Sequence, residues 1–176
     1  MGVKFDIIVP TYGRPVLCLN CLSSIFQKSD PSNTQVIAID NGKQGQCCND
    51  AFKPPFLRYI RPPENIGYTK AINAGLALST APYVVLMNSE SDVMSDDWLE
   101  KMAEAFEGNP KLAAIGPATD RPQQVLAGTL PPNSGLHFLE PEMTPHGILD
   151  VKLWFWCIML CREAIVDVGY LDERFS

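Results

Sequence analysis

The stretch VVLMNSESDV, residues 84–93, runs from an apolar segment into Glu90-Ser91-Asp92. Two carboxylates one residue apart on an irregular turn project toward the same volume. Hard divalent cations such as Mg2+ or Mn2+ take oxygen ligands, so Glu90 and Asp92 are candidates to hold one. Such an ion could neutralise a diphosphate in an otherwise acidic protein. Two further apolar runs end in polar residues: FDIIVP leads into Pro10-Thr11-Tyr12, and QVIAID ends at Asp40-Asn41. Asn88 stands at the start of the acidic turn. Any one of these is equally well explained as a polar cap where a strand emerges into water. Three together favour a site.

The elements that must position these residues are legible as alternating patterns. FDIIVP (5–10) is β-branched and stops at Pro10, and residues 14–27 have a helical period with Pro15 near the start. QVIAID (35–40) is a second buried strand closed by the turn signal Asn41-Gly42. FLRYIRP (56–62) alternates and reads as a third strand near a sheet edge. TKAINAGLALS (69–79) predicts a helix, YVVLMN (83–88) a strand, DDWLEKMAEAFEG (96–108) a helix and LAAIG (112–116) a short strand. Strands alternating with helices predict an α/β sandwich, Rossmann-like, with a mostly parallel central sheet and helices on both faces. Ligands in such sheets gather beyond the carboxyl ends of the strands, where the three polar endings lie.

Composition narrows the chemistry. The 176 residues are 46% apolar and 19% charged, enough for one domain with a sizeable core. The formal charge of -6 and a pI near 4.8 provide no basic field for a nucleic-acid backbone or an anionic membrane. No apolar run is long enough to span a bilayer, and no signal-peptide core precedes a cleavage site. The expected location is the cytoplasm, with any membrane association peripheral. Six cysteines are too sparse for a disulfide scaffold and are expected as free thiols. Cys18-Leu19-Asn20-Cys21 has redox or half-zinc spacing, but Leu17, Cys18, Cys21, Leu22 and Ile25 share one helical face, which predicts core packing. Cys47-Cys48 lie in a polar loop, Cys157 and Cys161 flank an apolar strand, and His137 and His146 fall in a Pro-rich stretch; none has zinc-ligand spacing. Neither G-x-x-x-x-G-K-[ST] nor a G-x-G-x-x-G after the first strand is present, so neither standard phosphate loop is supported. Residues 118–150, with TDRPQQ, LPPNSG and EPEMTP, read as a long loop. Trp154 and Trp156 would share one strand face, with Phe155 on the other.

Four segments in this order resemble the GT-A-fold, family 2 inverting glycosyltransferases, especially their rhamnosyltransferase-like members. They are IIVPTYGRP, VIAIDNG, ENIGYTKAINAGLALSTAPYVVLMNSESDV and WFWCIMLCREAIVDVGYLDERFS. The resemblance covers nearly the whole chain and implies one GT-A-type domain over 1–176, with 1–117 binding a nucleotide sugar and 118–176 facing the acceptor. It implies a nucleoside pocket lined by Pro10, Thr11 and Tyr12, with Asp40 accepting from the base. Asn65, Gly67 and Lys70 would lie near the ribose and diphosphate, with Arg14 and Asn88 also on the substrate side. Lys70 is the best local cation for phosphate. The implied donor is a nucleoside diphosphate sugar, with UDP or dTDP favoured, and the implied acceptor is a glycan or another hydroxyl.

The pattern departs from the family at two places. NSESDV carries one extra residue before the helix containing Trp98. Alignment from the strand puts Glu90 at the metal position, whereas alignment back from Trp98 puts Asp92 there; the shorter side chain favours Asp92. The acidic pair that follows the GYLDERF-like segment in the family, and supplies the base for inversion, is expected beyond Ser176. The chain is therefore read as C-terminally incomplete, with Asp172 and Glu173 as the substitute candidates within it. The expected activity is metal-dependent inverting sugar transfer. A sugar-nucleotide-binding module without a base is the alternative.

Overall fold

The computed structural model describes residues 2–42, 54–107, 109, 112–116 and 156–175. The expectations for Cys47, Cys48, His137, His146, the stretch 118–150 and the Trp154–Phe155 pair fall outside these residues. Strands β1 (Phe5–Thr11), β2 (Thr34–Asp40), β3 (Leu57–Ile60), β4 (Tyr83–Met87), β5 (Ala114–Ile115) and β6 (Cys157–Cys161) form one sheet in the order β3-β2-β1-β4-β6-β5. The β3-β2-β1-β4 half is parallel, while β6 runs antiparallel to both β4 and β5. The fold is thus the expected α/β class, with a central sheet flanked by helices and an antiparallel addition at one side. FLRYIRP contributes an edge strand, as its alternation predicts.

Among the described residues the helices are α1 (Pro15–Lys28), α2 (Tyr68–Leu78), α3 (Trp98–Glu107) and α4 (Arg162–Val168), followed by a 3-10 turn at Glu173–Phe175. Side chains alternate across a strand, so β1 feeds two cores. Phe5, Ile7 and Val9 pack with Cys18, Cys21, Leu22 and Ile25 of α1 and with Leu99, Met102, Ala103 and Phe106 of α3. Ile8 packs on the opposite face with Ala71, Ile72 and Leu76 of α2 and Ile165 of α4. At about 25 cal/mol per Å2 of buried apolar surface, these layers are the main stabilising term. Leu17 is a correction to the helical-face reading: it lies 40% exposed, beyond the stripe that Cys18, Cys21, Leu22 and Ile25 bury.

Two features fix where the elements sit. An ideal Cβ on Gly75 would lie 2.4 Å from Ile8 Cγ2, so α2 crosses β1 at a distance that only glycine allows. At the amino end of the sheet, the buried Asp6 accepts from the backbone N–H groups of Thr80 (2.6 Å) and Ala81 (2.8 Å). Arg162 donates to the carbonyl of Ala81 and to the hydroxyl of Ser79, tying the start of α4 to the same loop. Among the described residues, no helix is long and apolar enough to cross a membrane.

Cys21, Cys157 and Cys161 are free thiols, as expected, whereas Cys18 is disulfide-bonded, which corrects the free-thiol expectation for that residue. Burial pushes the Cys21 thiol up to about 12, with the Asp92 charge adding to the effect. Burial alone does the same for Cys157. A protonated, buried thiol is a poor nucleophile, which fits Cys21 as a core-packing residue.

Candidate functional site

In the parallel half of the sheet, β1 lies between β2 and β4. The chain leaves β1 toward β2 and β3 on one side and places β4 on the other, so the strand order reverses between β1 and β4. Loops beyond the carboxyl ends of strands at such a reversal form the usual ligand crevice of open α/β sheets. The three polar endings meet there. Thr11 and Asp40 are register partners, and the Asn41 N–H donates to the Thr11 carbonyl at 2.8 Å, which holds the two strand ends together.

The acidic turn is fixed from several sides. β4 ends at Met87. The Asn88 N–H then donates to the Trp156 carbonyl (2.9 Å), and the Ser91 N–H closes a turn onto the Asn88 carbonyl (3.1 Å). The Val93 N–H donates to the Ser24 hydroxyl of α1 at 2.9 Å, and Val93 itself is buried. Glu90 stands at the tip of this turn, exposed, with Oε2 2.8 Å from a terminal guanidinium nitrogen of Arg14. That ion pair spans the crevice from the loop after β1 to the loop after β4. Arg14 is the single non-glycine residue with positive φ among the described residues (φ 47°, ψ 56°) and caps α1 in this left-handed form. Asp92 is exposed, close enough to α1 for its charge to raise the Cys21 thiol.

The other wall is the start of α2. Gly67 has φ 82° and ψ 169°, a region open essentially to glycine, and its N–H donates to Asn65 Oδ1 at 2.9 Å. The Asn41 amide donates to the Gly67 carbonyl at 3.0 Å, which couples the β2 ending to this helix N-terminus. The N-terminus of a helix carries a partial positive charge and unpaired N–H groups. Lys70 is exposed in that first turn, with no ion-pair partner among the described residues. Tyr68 reaches across, its hydroxyl donating to Asn88 Oδ1 at 3.2 Å. Helix N-terminus and lysine together suit an anion.

Asp40 is wholly buried and surrounded by donors. Its Oδ1 accepts from the Gly42 N–H (2.9 Å) and the Thr11 hydroxyl (3.4 Å), and its Oδ2 accepts from the Tyr59 hydroxyl and lies 3.4 Å from Arg61 Nε. Tyr59 and Arg61 are residues that the sequence reading missed. Their signal was present: two positions apart on an alternating strand, they share one face, next to a strand that ends in an acid. Burial first, and then the bond to Asp40, push the Tyr59 phenol up to about 12, so it remains a donor at neutral pH.

Of the predicted residues, Thr11, Asp40, Asn65, Gly67 and Asn88, with Arg14 and Glu90, join this hydrogen-bonded rim. Pro10 is buried in β1, Tyr12 is 63% exposed beside Thr11, and Lys70 and Asp92 are exposed on opposite walls. Asp172 and Glu173 are engaged elsewhere. Asp172 is paired with Arg174 (2.5 Å), which holds its carboxyl below the usual carboxylate range, while Glu173 accepts from the Asn73 amide of α2 at 3.0 Å. A lowered pKa makes Asp172 a weak proton acceptor. Among the described residues no group of three His, Cys, Asp or Glu side chains is placed to share a metal. The Glu90 and Asp92 pair is nevertheless an all-oxygen donor set of the kind that Mg2+ uses when substrate phosphates complete its shell.

Comparison with known proteins places this geometry. The chain is 28% identical over 116 residues to an N-acetylglucosaminyltransferase of Rhizobium meliloti (strain 1021), covering 62% of this chain and 27% of the relative. It is 29% identical over 123 residues to another of that name from Rhizobium sp. (strain N33), covering 65% and 26%. The chain thus spans about a quarter of the length of these relatives. The mannosyltransferase of Pyrobaculum calidifontis, solved with GDP-Man and Mn2+, superposes with a TM-score of 0.71 at 17% identity over 97% of this chain and 48% of that one. The S. aureus TarS 1-349 structure with UDP gives 0.67 at 18% identity over 98% and 51%. These two likenesses establish the fold. The sequence profile described as Glycosyl transferase family 2 matches residues 6–165, and the chain belongs to that family.

Proposed function

We propose that this chain forms the donor half of a glycosyltransferase site that moves a sugar from a nucleoside diphosphate sugar to an acceptor hydroxyl with inversion. The observation that carries the reading is the crevice at the β1/β4 reversal. There the loop after β4 carries Glu90 and Asp92, and the first turn of α2 carries Lys70. The mannosyltransferase and TarS structures, bound to GDP-Man and UDP, lend support from proteins of the same fold.

In this reading Pro10, Thr11 and Tyr12 border the nucleoside, and Asn65 and Gly67 shape the loop beside the ribose. Lys70 and the N-terminus of α2 attract the diphosphate. Asp92, with Glu90, would hold Mn2+ or Mg2+, which when bound would offset charge on the departing diphosphate. Arg14 bridges Glu90 until ligand enters and then supplies a second cation for phosphate. Transfer with inversion also requires a carboxylate to take the acceptor proton as its oxygen attacks. Asp172 and Glu173 are the acids nearest the chain's end in sequence, and their engagement with Arg174 and Asn73 favours a donor-binding role for the described residues.

The test is calorimetric titration of the chain with UDP, dTDP and GDP, with and without Mn2+. Binding that strengthens with Mn2+, and an Asp92→Ala variant that loses this gain while keeping the metal-free affinity, is the expected result. Equal metal dependence in wild type and Asp92→Ala would refute the placement. In that event Glu90→Ala decides whether the alignment from the strand, which puts Glu90 at the metal position, is correct.

A further inference from the structure

The Asp40 cluster is arranged differently from a simple base-accepting carboxylate. An ionised carboxylate offers about four lone-pair positions. Asp40 has its two oxygens facing four donors: the Gly42 N–H and Thr11 hydroxyl on Oδ1, the Tyr59 hydroxyl and Arg61 Nε on Oδ2. It is completely buried. The Gly42 N–H and Tyr59 hydroxyl bonds are the close ones, while the Thr11 hydroxyl and Arg61 Nε stand at 3.4 Å. Arg61 presents the opposite situation. Its side chain is 42% exposed, its guanidinium carbon lies 5.5 Å from the Tyr59 ring centroid, and one terminal nitrogen donates to the Tyr59 hydroxyl at 3.1 Å. The other terminal nitrogen makes no hydrogen bond or ion pair with the described residues. A planar fork of N–H donors, anchored by Nε and by the ring beneath, is thus directed outward from a cluster that also includes Thr11, the neighbour of the exposed Tyr12.

Resting on the nucleotide reading above, we propose that Arg61 is the residue that reads the nucleobase, and that Asp40 and Tyr59 are positioning residues that hold its fork. Donors require acceptors, so the base must offer a ring carbonyl, such as O4 of uracil or thymine or O6 of guanine. Adenine offers an amino group at the equivalent edge and brings N–H against N–H. An arginine fork engaging a base edge is a strong discriminating contact. The buried carboxylate supplies the fixed charge that keeps the fork from swinging into solvent.

The experiment measures affinities of the full chain for UDP, dTDP, GDP and ADP in Mn2+, with inorganic pyrophosphate as a base-free control. Wild type is expected to bind at least one carbonyl-bearing nucleotide about tenfold or more tighter than ADP; the UDP and GDP arms show whether a pyrimidine or a purine is preferred. Arg61→Met, which keeps the packing stem and loses the donors, should bring that ratio to within about threefold while leaving pyrophosphate affinity unchanged; the thermal midpoint falls, because the buried Asp40 loses its cation. Tyr59→Phe should lower the ratio in the same direction, a change that a merely structural role would not produce once pyrophosphate binding is intact. A ratio retained in Arg61→Met, or absent in wild type, overturns the proposal alone. Failure of wild type to bind any of the nucleotides overturns the nucleotide reading with it.

Discussion

Arg14 shows how a single residue can be held against its own preference. A left-handed backbone costs an ordinary L-residue about 1–2 kcal/mol, and an exposed ion pair such as Arg14–Glu90 returns about 0–1 kcal/mol. The pair does not offset the strain, so stability alone does not account for an arginine here, and strained residues of this kind cluster at functional sites. Arg14→Gly should therefore be more stable than Arg14→Ala by about 1 kcal/mol, measured by denaturant unfolding. Both should weaken nucleoside diphosphate binding to a similar degree, because both lack the guanidinium. Gly and Ala variants of equal stability would show that the backbone at this position is relaxed. At this scale the sequence was partly informative. The acid-x-acid turn, Asp40 and Lys70 stand out by type and place, whereas Tyr59 in the edge strand and Arg61 just beyond it carry a weaker signal, because an exposed arginine at a sheet edge is the ordinary occupant.

Among the elements, α2 has the strictest seating. Its glycine at position 75 lies over Ile8, and an added Cβ would stand 2.4, 3.0 and 3.1 Å from three atoms of that buried side chain. Gly75→Ala gains about 1 kcal/mol of helix propensity and incurs about 1–3 kcal/mol of overpacking. The overpacking should win, giving net destabilisation in equilibrium unfolding, and Ile8→Ala should couple favourably with it in a double-mutant cycle. A more stable Gly75→Ala protein would mean that α2 stands further from β1. Since α2 carries Gly67 and Lys70 to the rim, a shift of this helix should also weaken anion binding. Element positions were largely legible. β1, β2, α2 and β4 fall within about a residue of their expected bounds because β-branched runs and turn signals bracket them. The exceptions have physical reasons. α3 begins at Trp98, since Asp96 and Asp97 stay outside it with their carboxylates on Lys28 and Lys101. The antiparallel sense of β6 depends on its pairing with β4, seventy or more positions earlier in the chain, which no local pattern encodes.

For the whole molecule, titratable groups shielded from water, two buried thiols and one half-buried phenol, set an alkaline limit. The Cys21 and Cys157 thiols rise from 9.0 to about 12, and the Tyr59 phenol rises from 10.0 to about 12, each mainly through burial. Between the ordinary and the raised values the folded chain keeps protons that the unfolded chain has released, so stability falls with rising pH in that window. The contribution is complete below pH 9 and is lost progressively toward pH 12. Urea unfolding should show a midpoint that declines across this range, with the Cys21 and Cys157 thiols of the native chain unreactive to alkylation near pH 8; a flat profile would contradict the shielding of these groups from water.

The two ends of the sheet also differ in what their charges attend to. At the foot, Asp6 and Arg162 are occupied by the backbone and hydroxyl groups of residues 79–81. At the rim, Lys70 and Asp92 are left facing solvent. A lineage carrying this scaffold can accordingly rewrite the crevice loops to suit another solute while the anchoring end stays as it is, so divergence of specificity need not await a new architecture.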